Sequence, residues 1–172
     1  MSEIVDLGCG PRKTAGALGV DIFPYPGVDV VADLDKPGWP LEDGRFDRVI
    51  ASHVIEHVQD VIMFLAEIHR IARPDAEVVL TTPHFSSRNS YADATHLRHL
   101  AIPWYETFVT GGYLSERSGT FELVHSRVKF GKSARTIIPK VMIRLFGQEV
   151  WEKQYAFQYP ATDLETVLRV KK

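Results

Sequence analysis

The sequence predicts an α/β chain built on a doubly wound, seven-stranded sheet, mostly parallel with an antiparallel last strand. Three observations carry that expectation. Apolar runs of strand length recur along the chain, an amphipathic helix pattern stands between two of them, and a Gly-Cys-Gly turn closes the first run. At 172 residues the chain is long enough for a single domain, 1–172, with a substantial core.

The strand-like runs are "EIVDL", "ALGVDI", "DVVADL", "FDRVIAS", "AEVVLTT", "FELVHSRVKF" and "LETVLRV". Several are rich in Val and Ile and nearly continuous, the pattern of strands buried on both faces. The clearest helix lies between "FDRVIAS" and "AEVVLTT". Asp60 stands at its N-cap, and Val61, Phe64, Leu65, Ile68 and Ile71 form one stripe. Arg70 and Arg73 suit its C-terminal dipole, and Pro74 is the expected stop. A second helix is expected from Pro103 to Gly111-Gly112, and a third from Pro139 to about Lys153. The last two strands form an antiparallel couple around the third helix. Segments 84–115 and 131–160 are the expected lids over a crevice at the carboxyl ends of the first four strands.

Composition narrows the partners. Formal net charge is -2, which makes no general case for nucleic acid. Residues 1–100 hold 9 basic and 15 acidic side chains, and residues 101–172 hold 11 and 7. The acid-free stretch "RVKFGKSARTIIPKVMIR" reads first as a solvated face and second as a patch that would attract an anionic or glycan-like small acceptor. The single cysteine, Cys9, rules out an internal disulfide and fits a reducing, cytoplasmic setting. No apolar run reaches the roughly 18–20 residues of a membrane span, and no signal peptide is visible.

The glycine turn is the first functional feature. In "IVDLGCGPRKTAGALGVDI", Gly8 and Gly10 remove side chains where a strand turns, which lets a ligand approach the backbone. Asp21 ends the next strand, where an acid can accept hydrogen bonds from ribose hydroxyls. A dinucleotide fits poorly. Arg12 stands where a third glycine is usual, and Asp21 follows Gly8 by 13 positions, against roughly 20 in the dinucleotide fingerprint. Residues 8–16 are also too few for an ordinary helical crossover, so the first crossover is shortened. A nucleoside without phosphates meets none of these objections.

"VDLGCG", the acid ending the second strand, "VVADLDKPGWPLEDGRFDRVIASHVIEHV" and "EIHRIARPDAEVVLTTP" occur in an order that resembles class I S-adenosylmethionine-dependent methyltransferases. The resemblance covers residues 3 to about 83 and is nearest to the compact bacterial and archaeal methyltransferase-domain type. It implies a Rossmann-like architecture with S-adenosyl-L-methionine as cofactor. It also implies that Asp6, Gly8, Cys9 and Gly10 wall the methionine part and that Asp21 holds the ribose. Ile22 would lie against adenine, Asp33 and Leu34 would flank the base, and Ser52 and His53 would close the pocket beside the sulfonium.

Methyl transfer from a sulfonium needs alignment and, for a hydroxyl or amine acceptor, a place for the proton. His57 in "SHVIEH" and His84 in "PHFSSRNSYADATHLRHL" are the preferred general bases, because histidine titrates near neutrality. Cys9 reads as a packing residue. A rival reading takes "HVIEH" as the H-x-x-E-H zinc signature, with His53, Glu56 and His57 joined by His84, Asp93, His96 or His99. The motif follows a strand directly instead of lying inside a long helix, which disfavours a zinc hydrolase, and no metal is assigned. A third reading is a non-catalytic cofactor-binding or assembly subunit. "WYETF" and "LFGQEVW" would serve a homodimer or partner contact, although core packing explains Trp104, Phe146 and Trp151 equally well. No Asn-Pro-Pro-Tyr-type element follows the fourth strand, which argues against base-amine methylation.

Overall fold

The computed structural model describes residues 3–109 and 111–172. The strands are β1 (Ile4–Leu7), β2 (Leu18–Asp21), β3 (Val30–Val31), β4 (Phe46–Ser52), β5 (Ala72–Pro83), β6 (Thr120–Lys129) and β7 (Asp163–Lys171). They form one sheet in the order β3-β2-β1-β4-β5-β7-β6. β1 to β5 pair in parallel, and β7 runs antiparallel to both β5 and β6. The expected mostly parallel, seven-stranded architecture with an antiparallel last strand is therefore present.

The shortened first crossover is present too, and the shortening goes further than the sequence reading anticipates. Residues 8–17, 22–29 and 32–45 join the first four strands, and none of these connections holds an α-helix. Burial follows from that. Val5, Val49, Val78 and Leu168 lie in register on one row of the sheet, and all are fully buried. The neighbouring row on the other face reads Ile4, Arg48, Glu77, Arg169 and Glu122 across five strands, and its four charged residues are exposed. Arg48 Nε pairs with Glu77 Oε1 at 3.0 Å. These central strands are thus not buried on both faces, contrary to the reading from their composition. Among the described connections of the first four strands no helix covers this row, and alternating charges solvate it, while the 8–17 turn covers the same face at Asp6.

Helix α1 (Val61–Ile71) supplies the opposing layer. Asp60 caps it by accepting from the Met63 N–H, as expected, and Phe64, Leu65, Ile68 and Ile71 pack fully buried on the sheet. Each such side chain contributes about 1.5–3 kcal/mol relative to exposure. Pro74 is not what stops α1. The chain turns extended at Ala72 and enters β5 at once, so Arg73 and Pro74 lie in the strand. Arg73 grips both carboxylate oxygens of Asp47 at 2.9 and 2.8 Å instead of serving the helix dipole.

The remaining helices differ from the sequence reading in detail. A short α2 (Arg88–Ala92) follows β5. The expected second helix is a 3-10 segment, Ile102–Thr107, followed after a turn by a four-residue α3 (Ser115–Ser118). Thr110 lies outside the described residues. The expected third helix is two helices, α4 (Ile137–Phe146) and α5 (Gln148–Tyr155). Gly147 breaks them apart at φ 86, a conformation in which its N–H still bonds the Ile143 carbonyl. Trp151 of α5 is fully buried beside Phe85, Val128 and Phe130, and Trp104 donates from Nε1 to Thr166 Oγ1 at 3.0 Å. Trp151 is therefore a core residue and Trp104 packs half-buried against the core, while Phe146 is exposed. Among the described residues no helix is long and apolar enough to cross a membrane.

Candidate functional site

The carboxyl ends of β1, β2 and β4 surround a cavity of ≈ 380 Å³. Gly8, Asp21, Ile22, Asp33, Leu34, His53 and His57 all line it, so seven sequence-derived candidates converge. The glycine turn explains how. Gly8 and Cys9 donate their N–H groups to the Val20 carbonyl at 2.8 and 3.1 Å. Gly10 donates to Asp21 Oδ2 at 2.8 Å, and Phe23 donates to Asp21 Oδ1 at 3.0 Å. The turn thus folds onto β2 and aims a buried Asp21 carboxylate into the cavity. Gly8, at φ +64, lies so close beneath Val54 that a Cβ there would stand 2.4 Å from Val54 Cγ2.

Asp6, Cys9, Gly10 and Ser52 do not line the cavity. Asp6 is buried and accepts from the Thr14 N–H at 2.7 Å, which shapes the turn from behind. Burial, then Asp6 and Asp21, push the Cys9 thiol up, so it stays protonated and packs against Gly19. Ser52 is an exposed strand-end residue paired with Thr81. His84 is also absent from the cavity. It is 0% exposed, with Nδ1 at 2.8 Å from Ser86 Oγ and Nε2 at 2.9 Å from Glu152 Oε1, and its ring rests on Phe85 and Trp151. Glu152 accepts from the Ile102 N–H as well, at 2.7 Å. His84 therefore ties β5 to α5 and has no face to offer a substrate. None of residues 131–160 lines the cavity either.

Sequence reading missed Phe23, Tyr25, Asp35, Val54 and Val58, which complete the lining. The available signal was "FPYP" directly after the strand-ending acid, since exposed aromatics on a crevice loop suit a planar ligand. The cavity is electrostatically one-sided. Asp21, Asp33 and Asp35 line it, and no lysine or arginine does. The Asp35 N–H and Lys36 hold the Asp33 carboxyl below the usual carboxylate range. A phosphate would need free N–H donors and cations, and three N–H groups of the turn are already spent internally. An adenosine attached to a cationic sulfonium suits these walls.

His53 and His57 mark the far end. His53 has φ 57, and Glu56, with Asp163 adding to it, holds its imidazole above the ordinary range against burial. His57 Nδ1 lies 2.9 Å from Thr95 Oγ1, which donates to Asp93 Oδ1 at 2.7 Å. The 93–98 segment is clamped over this turn. Leu97 N–H bonds the Glu56 carbonyl at 2.8 Å, and Arg98 donates to the carbonyls of Ile55, Val58 and Gln59. Of the two expected lids, the one beginning at residue 84 thus packs against the cavity's histidine end.

Similarity to known proteins gives the family and the fold. A family model described as a methyltransferase domain matches residues 2–126. Among relatives, the mitochondrial ubiquinone biosynthesis O-methyltransferase of Bos taurus is 25% identical over 97% of this chain and 51% of its own. A probable S-adenosylmethionine-dependent methyltransferase of Mycolicibacterium smegmatis is 29% identical over 76% of this chain and 52% of its own. The chain spans about half the length of these curated relatives. Among solved structures, an S-adenosylmethionine-dependent methyltransferase from Archaeoglobus fulgidus superposes with TM-score 0.64 at 19% identity, covering 98% of this chain and 86% of that one. One from Mesorhizobium loti gives TM-score 0.59 at 20% identity, with 97% and 90% covered. The structural likenesses establish the fold.

Proposed function

Because this chain belongs to the methyltransferase-domain family, we propose that it is an S-adenosylmethionine-dependent methyltransferase whose acceptor is a small molecule carrying a hydroxyl group. The observation that carries the reading is the acid-lined cavity at the carboxyl edge, with the Asp21 carboxylate fixed at its wall by two backbone N–H groups. The cofactor, when bound, supplies a methyl group already activated on a sulfonium.

The chain's own residues then bind and align. The Gly10 and Phe23 N–H groups hold the Asp21 carboxylate in place, and its remaining lone pairs serve the ribose hydroxyls. Ile22 and Leu34 offer apolar surface to the adenine, and Asp33 accepts from its exocyclic amine. Gly8 admits the methionine part close to the backbone. The three acids favour the positive sulfonium form over the neutral product, which assists release after transfer. Asp6, Cys9 and Gly10 act as positioning residues of the turn. His53 and His57 face the acceptor, whereas His84 holds α5 in place and takes no proton from substrate. The printed name of the Bos taurus relative, an O-methyltransferase of ubiquinone biosynthesis, supports a small organic acceptor with a hydroxyl.

Calorimetric titration with S-adenosylhomocysteine tests the reading on the native chain and on Asp21→Ala. Losing two ribose hydrogen bonds to a carboxylate, each about 1.5–3 kcal/mol, is expected to weaken binding by at least 100-fold. A screen of hydroxylated acceptors with labelled methyl donor follows. No binding by the native chain ends the proposal, and tight binding without turnover on any acceptor establishes the non-catalytic alternative.

A further inference from the structure

Glu56 is the least explained group at the histidine end of the cavity. It is 1% exposed, yet neither carboxylate oxygen accepts a hydrogen bond. Its nearest cationic neighbour, His53, brings Nδ1 to 3.3 Å as an ion-pair contact without hydrogen-bond alignment. His53 faces its charge, but a buried carboxylate whose oxygens accept no hydrogen bond remains costly. His57 and His96 are the other groups it faces. One possible ligand atom from each of Glu56, His57 and His96 lies within 4.8 Å of the other two, and the histidine rings meet edge to face with centroids 4.7 Å apart.

Hydrogen bonds behind both rings decide which nitrogen is free. His96 Nδ1 lies 3.0 Å from the Ser90 carbonyl oxygen, which can only accept, so Nδ1 is the donor, and in the neutral ring Nε2 keeps the lone pair. The Thr95 hydroxyl gives its hydrogen to Asp93, so its oxygen accepts from His57 Nδ1, and the neutral His57 ring too has its lone pair on Nε2. Imidazoles that bind metals are usually anchored in this way through the other nitrogen. The clamp of Arg98 on the 55–59 carbonyls holds the two parts of this donor set together without a ligand.

We propose that Glu56, His57 and His96 bind one divalent transition-metal cation, with zinc best matched to two imidazoles and one carboxylate that leave a coordination position open. Its catalytic consequence rests on the methyl-transfer reading, because His57 also lines the cofactor cavity. A hydroxyl acceptor that reaches the open position sheds its proton to solvent more easily. Its oxygen then forms the new O–C bond as the C–S bond breaks, and the C–S electron pair stays on sulfur. The products are a methyl ether and S-adenosylhomocysteine. His57 is then a ligand and not the general base.

Cobalt(II) titration of the chelator-treated full chain tests the site, since cobalt in a mixed nitrogen and oxygen site absorbs visibly. One equivalent is expected, displaced by zinc. Glu56→Gln and His96→Ala are each expected to weaken cobalt binding at least 100-fold, and His53→Ala less than threefold, with far-ultraviolet circular dichroism confirming the fold. S-adenosylhomocysteine affinity of His96→Ala is measured in parallel and is expected within threefold of native, so the metal site and the cofactor reading fail separately. Native protein that binds no stoichiometric cobalt or zinc overturns the proposal. So does a His96→Ala variant that binds cobalt as well as native, or a His53→Ala variant that loses it 100-fold.

Discussion

Replacing Gly8 by alanine would set a methyl group 2.4 Å from Val54 Cγ2, and 3.6 Å from both Val54 Cβ and Cγ1. Carbon atoms in favourable contact stand about 3.5–4.0 Å apart, so Val54 must give way by more than an ångström. Two penalties combine. The left-handed conformation, φ +64, costs an L-residue roughly 1–2 kcal/mol, and overpacking of this kind costs about 1–3 kcal/mol. Gly8→Ala should therefore lose about 2–5 kcal/mol in urea denaturation. Val54 adjoins His53, and all three residues line the cavity, so S-adenosylhomocysteine binding should weaken as well. The two penalties can be separated. Truncating the obstacle in Gly8→Ala/Val54→Ala should recover about 1–3 kcal/mol relative to the sum of the single variants, leaving the backbone share. A Gly8→Ala protein within about 0.5 kcal/mol of native, or a double variant with no such coupling, would refute the reasoning.

Other expected outcomes follow from particular contacts. Burial pushes the Glu67 carboxyl up, but Arg70 and the Trp39 and Gly38 N–H groups outweigh it and hold it below the usual range. A depressed folded value means stability that is present above the unfolded pKa of about 4.3 and lost as pH falls through the folded value. Glu67→Gln should accordingly cost about 2–3 kcal/mol at pH 7 and flatten the acid limb of a pH–stability profile. His84→Ala should cost about 3–5 kcal/mol, because it opens a cavity and strands Glu152, while S-adenosylhomocysteine affinity stays within about threefold. Phe23 is 57% exposed at the cavity mouth, so Phe23→Ala should leave thermal stability nearly unchanged but weaken S-adenosylhomocysteine about fivefold, as loss of about 1 kcal/mol of ring contact requires.

The outcome at individual residues shows where sequence reading succeeds. Asp60, Phe64, Leu65, Ile68 and Ile71 were legible because capping and helical periodicity are local, and α1 obeys both. Gly8, Asp21, Asp33 and His53 were legible as cavity-lining residues because the carboxyl ends of parallel strands, and the turns that follow them, gather at one edge of the sheet. His84 misled for a matching reason. A histidine just after a strand looks the same in sequence whether it faces a cavity or, as here, lies under α5 against Glu152. The break at Gly147 was hidden because the apolar spacing continues across it, and Arg73 was assigned to a helix that had already ended.

Order along the chain therefore determined the strand-like runs, the shortened first crossover and the acid that ends β2, and the last two rest on contacts close in sequence. Tertiary structure alone decided that the row Arg48, Glu77, Arg169 and Glu122 stays exposed, since that depends on helices that three linkers do not supply. It alone decided that His96 meets Glu56 and His57, since a distant arginine must cap three carbonyls before those side chains share a space. Periodicity encodes which way a residue points, whereas long-range packing decides what it meets there.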